Sequence, residues 1–329
     1  MPISWKPKSR EKLTMIAAIE KEARSLCPPA TVKHWRVLQP SHVLMATFIL
    51  WVQLLGAWIA ALLGPALIWI PAFLVICACI VAMQLWVHES SHFTLFCSRA
   101  LNDLWATVFF GSPIGMSVKT YRRFHMTHHA KLATANDMDR FAFNVDVRGS
   151  RRLVGKLLRG LLCIDGYLIV MRKYVGPKES ASDLGRDQDL FFIAVWNIPL
   201  LLACVLAGRW YLYFLLWAYP ILGVAVTVNL LRSIGEHQPI GFAGLASPNQ
   251  SITPVIRTTC PGYLEKWLMF QANFNYHFEH HLYPTVPAVN LPKVHQYLEE
   301  RGFYQKYPEL LQKSAVAKVL ELSRGIPTT

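Results

Sequence analysis

Between Val43 and Val87 the chain carries no charged residue, and Gly64-Pro65 divides that stretch into two runs, Val43 to Leu63 and Ala66 to Val87. Each run is close to the ~20 residues that a helix needs to cross a ~30 Å hydrocarbon core. A second uncharged pair, Phe191 to Gly208 and Trp210 to Leu231, is interrupted only by Arg209. Hydrocarbon offers backbone amides no water, so a crossing segment must satisfy its own hydrogen bonds, and a helix does so. The pattern predicts two transmembrane helical hairpins. Pro71, Pro199 and Pro220 fall inside the runs and predict kinks, which neighbouring helices can accommodate.

The basic residues give the hairpins a direction. Of 33 Lys and Arg, 8 precede the first hairpin, 15 lie in 89–189 and 9 follow Leu231, leaving Arg209 alone at a hairpin tip. Loops rich in Lys and Arg stay in the cytosol, so both termini and the long connection are expected there. The formal charge of +13 then reflects topology and attraction to anionic headgroups. It does not indicate nucleic acid, which requires a basic face on a soluble domain. A composition that is 53% hydrophobic over 329 residues is too apolar for an ordinary soluble enzyme. The seven cysteines contain no C-x-x-C, and they read as buried thiols rather than a disulfide or metal framework. Residues 1–29 are charged throughout, unlike a cleavable signal peptide. Leu104 to Val118 and Leu153 to Tyr174 mix apolar residues with turn formers or cations and are expected at the membrane interface.

Nine of the twelve histidines occupy four places in the segments assigned to the cytosol: His88-Glu-Ser-Ser-His92, His125-Met-Thr-His128-His129, His237, and His277-Phe-Glu-His280-His281. Residues i, i+3 and i+4 share a helix face, so each cluster presents a stripe of imidazoles. Eight or nine imidazoles exceed what one metal takes, because zinc binds four ligands, and two metals are implied. Imidazole suits zinc, copper, iron and nickel alike. Carboxylates near a metal orient its histidines, and Glu89, Asp137, Asp139, Glu236 and Glu279 are the candidates. An adjacent residue on a helix points about 100° away, so each acid is expected to serve a histidine of another cluster. His34, His42 and His295 stand alone and are assigned no role.

His88-Glu89-Ser-Ser-His92 is also a literal H-E-x-x-H, the pattern of zinc proteases in which glutamate is the general base. Asp165-Gly166 mimics the third-ligand Asp-Gly of intramembrane proteases. That alternative leaves seven histidines unexplained. A transport protein would place ionisable residues inside the apolar runs, and these runs hold none.

With its three histidine clusters set at fixed places around two apolar hairpins, the chain resembles the membrane fatty-acid desaturase superfamily from about His34 to Leu291. Phe274-Asn-Tyr-His277-Phe-Glu-His280-His281-Leu-Tyr-Pro284 is the most specific stretch. The resemblance implies an all-α integral membrane protein with four transmembrane helices and a cytosolic helical cap carrying a histidine-rich di-metal site. By the same resemblance two iron ions are bound by His88, His92, His125, His128, His129, His277, His280 and His281, with His237 as the added ligand many members take from the end of the fourth helix. Dioxygen is the implied co-substrate and a fatty-acyl or similar lipid chain the substrate. Desaturation is the leading outcome, and hydroxylation or loss of the carboxylate to leave a terminal alkene are alternatives that the histidines do not separate. No H-P-G-G heme motif and no flavin or nicotinamide fingerprint is present, so electrons are expected from a separate ferredoxin, rubredoxin or cytochrome b5 type donor, drawn by the basic surface. The expected organisation is one catalytic unit: cytosolic 1–42, hairpin 43–87, cytosolic 88–189, hairpin 190–231 and cytosolic 232–329. A bacterial inner membrane or the endoplasmic reticulum would house it.

Overall fold

The computed structural model describes residues 9–132, 136–137, 150–174, 186–237 and 256–324. The helices in chain order are α1 (Ser9–Leu26), α2 (Pro29–Trp35), α3 (Pro40–Leu63), α4 (Trp69–Ser91), α5 (Arg99–Ala106), α6 (Val118–Lys131), α7 (Ser150–Leu161) and α8 (Ile164–Tyr174). They continue with α9 (Arg186–Leu206), α10 (Tyr211–His237), α11 (Tyr263–Met269), α12 (His277–Leu282), α13 (Leu291–Glu299), α14 (Phe303–Lys306) and α15 (Ala315–Ser323). Strand pairing among the described residues is confined to β1 (Thr258–Thr259) beside β2 (Leu311–Gln312). The protein is an all-α integral membrane protein.

Four stretches of the described residues are long and apolar enough to span a membrane: Pro29–Leu63, Ala66–Ser91, Asp189–Leu206 and Tyr211–His237. Phe48, Ile59 and Leu63 on α3 and Ile198, Leu202 and Leu206 on α9 point outward, where acyl tails rather than water would meet them. Helix α4 is central, and from Ile76 to Ser91 every side chain except Gln84 is buried. Gln84 accepts a hydrogen bond of 2.6 Å from Asn229 Nδ2 on α10, a polar bond between two of the spans. At the opposite end Arg209 Nη1 donates to Ala61 O (2.8 Å) and Gly64 O (2.7 Å). Carbonyls at a helix C-terminus have no intrahelical donor, so Arg209 both caps α3 and ties one hairpin to the other.

Three expectations need correction here. Pro71 falls in the first turn of α4, where a missing N–H forfeits no intrahelical bond. By contrast, Pro199 lies inside α9 and Pro220 opens one of two π-helical turns in α10. The stretch Leu104–Val118 enters the bundle instead of lying at its edge: Phe110 stacks on Trp86 at 5.6 Å and Pro113 O accepts from Asn197 Nδ2. Gly115, at φ 71°, makes the turn that brings it out. Finally, Cys97 and Cys260 are exposed rather than buried.

Two apolar cores flank the region between the spans and the cap. One joins α3, α4 and α10 with Phe110, Ile114 and Phe274, and the other joins Ile19, Ala23 and Trp35 with Phe278, Leu282, Leu291, Val294, Leu298 and Phe303. The histidines lie where these cores meet.

Candidate metal centre

Each histidine cluster is delivered by a helix whose end is tied down. Helix α4 continues past its apolar run far enough to carry His88 in its last turn, with His92 as the capping residue. Its terminal carbonyls find donors elsewhere: Ser90 O accepts from Asn102 Nδ2 (2.9 Å) and Arg122 Nη2 (3.0 Å), and Ser91 O from Arg122 Nε (3.1 Å). Arg122 also pairs with Asp103. It lies one turn before His125 on α6, so the bonds that cap α4 also seat the second histidine cluster over the first. Helix α10 runs on to end at His237, and α12 holds the third cluster.

The imidazoles converge in two groups. One ligand atom each from His88, His92, His125, His129 and His280 lie within 4.8 Å of one another, and so do those of His128, His237 and His281 and those of Glu236, His237 and His277. His125 Nε2 is 2.9 Å from both His92 Nε2 and His129 Nε2, and His129 Nε2 is 3.1 Å from His280 Nε2. In the second group His277 Nε2 is 2.9 Å from His237 Nε2 and 3.2 Å from His281 Nε2. Neutral imidazole carries one proton, so a nitrogen flanked by two like nitrogens cannot satisfy both by hydrogen bonding. A shared cation can, and nitrogens ~2.0–2.1 Å from one ion would stand about 3 Å apart at right angles. Both nitrogens of His88 are buried without a hydrogen-bond partner, as suits a ligand. The donor set therefore fits two soft-to-borderline ions such as iron.

Each H-x-x-H-H cluster is shared between the two groups. His125 and His129 face one and His128 the other, while His280 joins the first and His277 with His281 the second. Burial is the main cause that lowers the pKa of these imidazoles: with neighbouring imidazoles adding to it, His125, His277, His280 and His281 are well below the usual value, and with the Arg122 charge adding to it His92 falls to about 4. Neutral imidazole is the form that binds a metal. The same shifts set a pH dependence. Folded histidines with depressed pKa bind fewer protons than unfolded ones, so stability is complete above the unfolded value and declines as pH falls. Metal-free protein is expected to lose Tm steeply as pH drops from about 6.5 toward 4, and metal-loaded protein to hold its Tm further into that window. Thermal melts of both forms across pH check this.

The five acids divide. Asp137 accepts from His128 Nδ1 at 3.0 Å, which fixes that tautomer and turns Nε2 toward the second group. Glu236 Oε2 is 3.8 Å from His277 Nε2. Glu89 instead accepts from Thr94 Oγ1 (2.8 Å) and Ala288 N–H (3.1 Å), and Glu279 from Thr258, Tyr304 and, at 2.5 Å, His295 Nδ1. These two carboxylates anchor their helices from the side away from the imidazoles. Asp139 lies outside the described residues. Asp137→Asn is expected to weaken metal affinity by about 10–100-fold, the usual effect of removing a carboxylate that orients a metal-binding histidine, measured by competition with a chelator on purified protein.

His295, read from the sequence as a lone histidine, is held by that Glu279 contact. Burial lowers its pKa, but the Glu279 hydrogen bond and charge outweigh burial and raise it. Its 16-residue separation from Glu279 offers no periodicity that would have revealed the contact. The protease pattern finds no support in the geometry: Asp165 pairs with Lys156 and Arg159, and Glu89 is engaged as described.

A family model described as fatty acid desaturase matches residues 65–313, which include all nine clustered histidines. The chain is also similar to sphingolipid delta(4)-desaturase/C4-monooxygenase DES2 of Bos taurus (25% identical over 238 residues), Homo sapiens (26% over 242) and Rattus norvegicus (28% over 242). Each comparison covers 69% of this chain, and the chain spans 64% of the length of those relatives. A match to three quarters of the sequence, with the imidazole clusters inside it, shows that the chain belongs to the fatty acid desaturase family.

Proposed function

We propose that the protein is a membrane-bound non-heme di-iron oxidase that uses dioxygen to oxidise an unactivated C–H bond of a fatty-acyl or similar lipid chain, with desaturation as the main outcome. The observation that carries this reading is the pair of converging imidazole groups at the ends of apolar spans in a member of this family. His88, His92, His125, His129 and His280 would hold one iron, and His128, His237, His277 and His281 the other. Bound iron would supply reductive activation of dioxygen and removal of hydrogen from carbon.

The chain's own residues supply the rest. Asp137 orients His128, and Arg122 with Asn102 locks the end of α4 to α6. The Phe274 ring packs beside those of His88 and His277, with centroids 4.3 Å and 5.4 Å away, where it would help exclude water from between the groups. Position of the lipid chain against the centre decides the product, because small displacements separate loss of a second hydrogen from oxygen transfer. Hydroxylation is the second reading, favoured by relatives named as both desaturase and monooxygenase. Electrons would come from a separate ferredoxin, rubredoxin or cytochrome b5 type carrier, and the cation-rich side would attract an acidic one.

Mass spectrometry of lipids from a host expressing the protein, with and without dioxygen, tests the reading. A product lacking two hydrogens supports desaturation and one gaining oxygen supports hydroxylation. One zinc per chain with oxygen-independent peptide cleavage would establish a protease instead.

The orientation is part of the proposal. Cysteine at Trp210→Cys is expected to react with an impermeant thiol reagent applied from outside the cell, while native Cys97 and Cys260, though exposed in the fold, should react only after the membrane is opened. Labelling in the reverse order would invert the layout.

A further inference from the structure

The two imidazole groups are unequal: one gathers five histidines and the other four, His128, His237, His277 and His281. Glu236 stands beside the poorer one. It precedes His237 at the end of α10, is 1% exposed, and its Oε2 lies 3.8 Å from His277 Nε2. Two donors on one ion, each about 2.0–2.2 Å from it, can be no more than about 4.4 Å apart, so this spacing permits a common ion. The other oxygen, Oε1, faces Arg232 Nε at 3.3 Å, yet neither atom completes a hydrogen bond. Arg232 is itself buried, with its guanidinium 4.1 Å from the centroid of the Phe274 ring. Arg232 thus occupies one carboxylate oxygen, and the other is left turned toward the imidazoles.

Resting on the di-iron reading, we propose that Glu236 is itself a ligand of the second metal, through Oε2, with Arg232 as the positioning residue that orients the carboxylate. The centre is then asymmetric: five imidazoles on one side, four imidazoles and a carboxylate on the other. A carboxylate brings anionic oxygen to one ion only, so the two irons occupy different electronic environments.

Mössbauer spectroscopy and iron analysis of intact, ⁵⁷Fe-loaded protein in detergent test this without reference to turnover. Wild-type protein is expected to hold about two irons giving two distinct quadrupole doublets. In Glu236→Gln one doublet should shift or vanish, with iron falling toward one per chain, while the other doublet stays in place. The paired variant Arg232→Met with Glu236→Gln removes both buried charges together and so preserves the fold's charge balance. If Glu236 only neutralises Arg232, this pair returns the wild-type spectrum and iron content, and the proposal fails. If Glu236 is a ligand, the pair still shows one altered iron. Two irons with unchanged doublets in Glu236→Gln alone would also overturn the assignment and leave the di-iron reading standing. Wild-type protein that takes up no iron would remove that underlying reading itself.

Discussion

His280→Ala is expected to abolish turnover and empty the five-imidazole group. His280 Nε2 is 3.1 Å from His129 Nε2, and its ring centroid is 4.5 Å from that of His88 and 4.7 Å from that of His92. It is the member of that group supplied by the cap, so its loss breaks the link between α12 and the ends of α4 and α6. Alanine also leaves space among buried, neutral imidazoles that water can enter, and a water molecule in the site competes for the ion. The variant should still fold. Helix α12 is held independently by Glu279 through Thr258, Tyr304 and His295, and by Phe278 packing on Phe303 at 5.7 Å. Iron should fall from about two per chain to about one or fewer, with product below detection. Elution and melting behaviour like wild type, measured together with iron content and lipid product, separates this from misfolding. A variant that keeps both irons and its product would dismiss the assignment of His280.

His237→Ala should cost nearly as much. The sequence argument for this residue is geometric, since the second apolar hairpin repeats the first and should bring α10 out beside α4. In the fold His237 Nε2 is 2.9 Å from His277 Nε2, and its ring is 4.9 Å from His128 and 5.3 Å from His281. A histidine merely facing headgroups would be exposed, whereas His237 is 4% exposed. The variant is expected to insert normally, lose the iron of the second group and lose turnover. His34→Ala is the suitable control because His34 is exposed and outside the site. His295→Ala is unsuitable because His295 bonds Glu279. Wild-type iron and activity in both His237→Ala and His34→Ala would take His237 out of the centre.

The carboxylates near the imidazoles are the least legible part of the site. All five lie near a histidine in the sequence, and proximity along the chain says little about which way a side chain turns. Asp137 reaches a histidine of its own neighbouring cluster rather than a distant one. Glu89 and Glu279 turn away and hold scaffolding. Glu279 takes its partners from β1, α13 and α14, up to 25 residues away in the chain. The roles of Arg122 and Asn102 are hidden in the sequence for the same reason, since capping of α4 depends on where α5 and α6 pack.

By itself the sequence determined the four spans, because twenty uncharged residues can satisfy their backbone in hydrocarbon only as helix. It also determined that nine imidazoles gather at one end, because helices that continue beyond their apolar runs must carry His88 and His237 to the same level. Tertiary structure alone decided how those imidazoles divide. Helical spacing puts His125, His128 and His129 on one broad face, but that face is about 100° wide, enough to serve two ions. The choice that sends His128 to one group and His125 with His129 to the other depends on the rotation of α6 about its axis, which Arg122 sets by bonding to the end of α4. Rotation of a helix is a property of what it packs against, and no local run of residues encodes it.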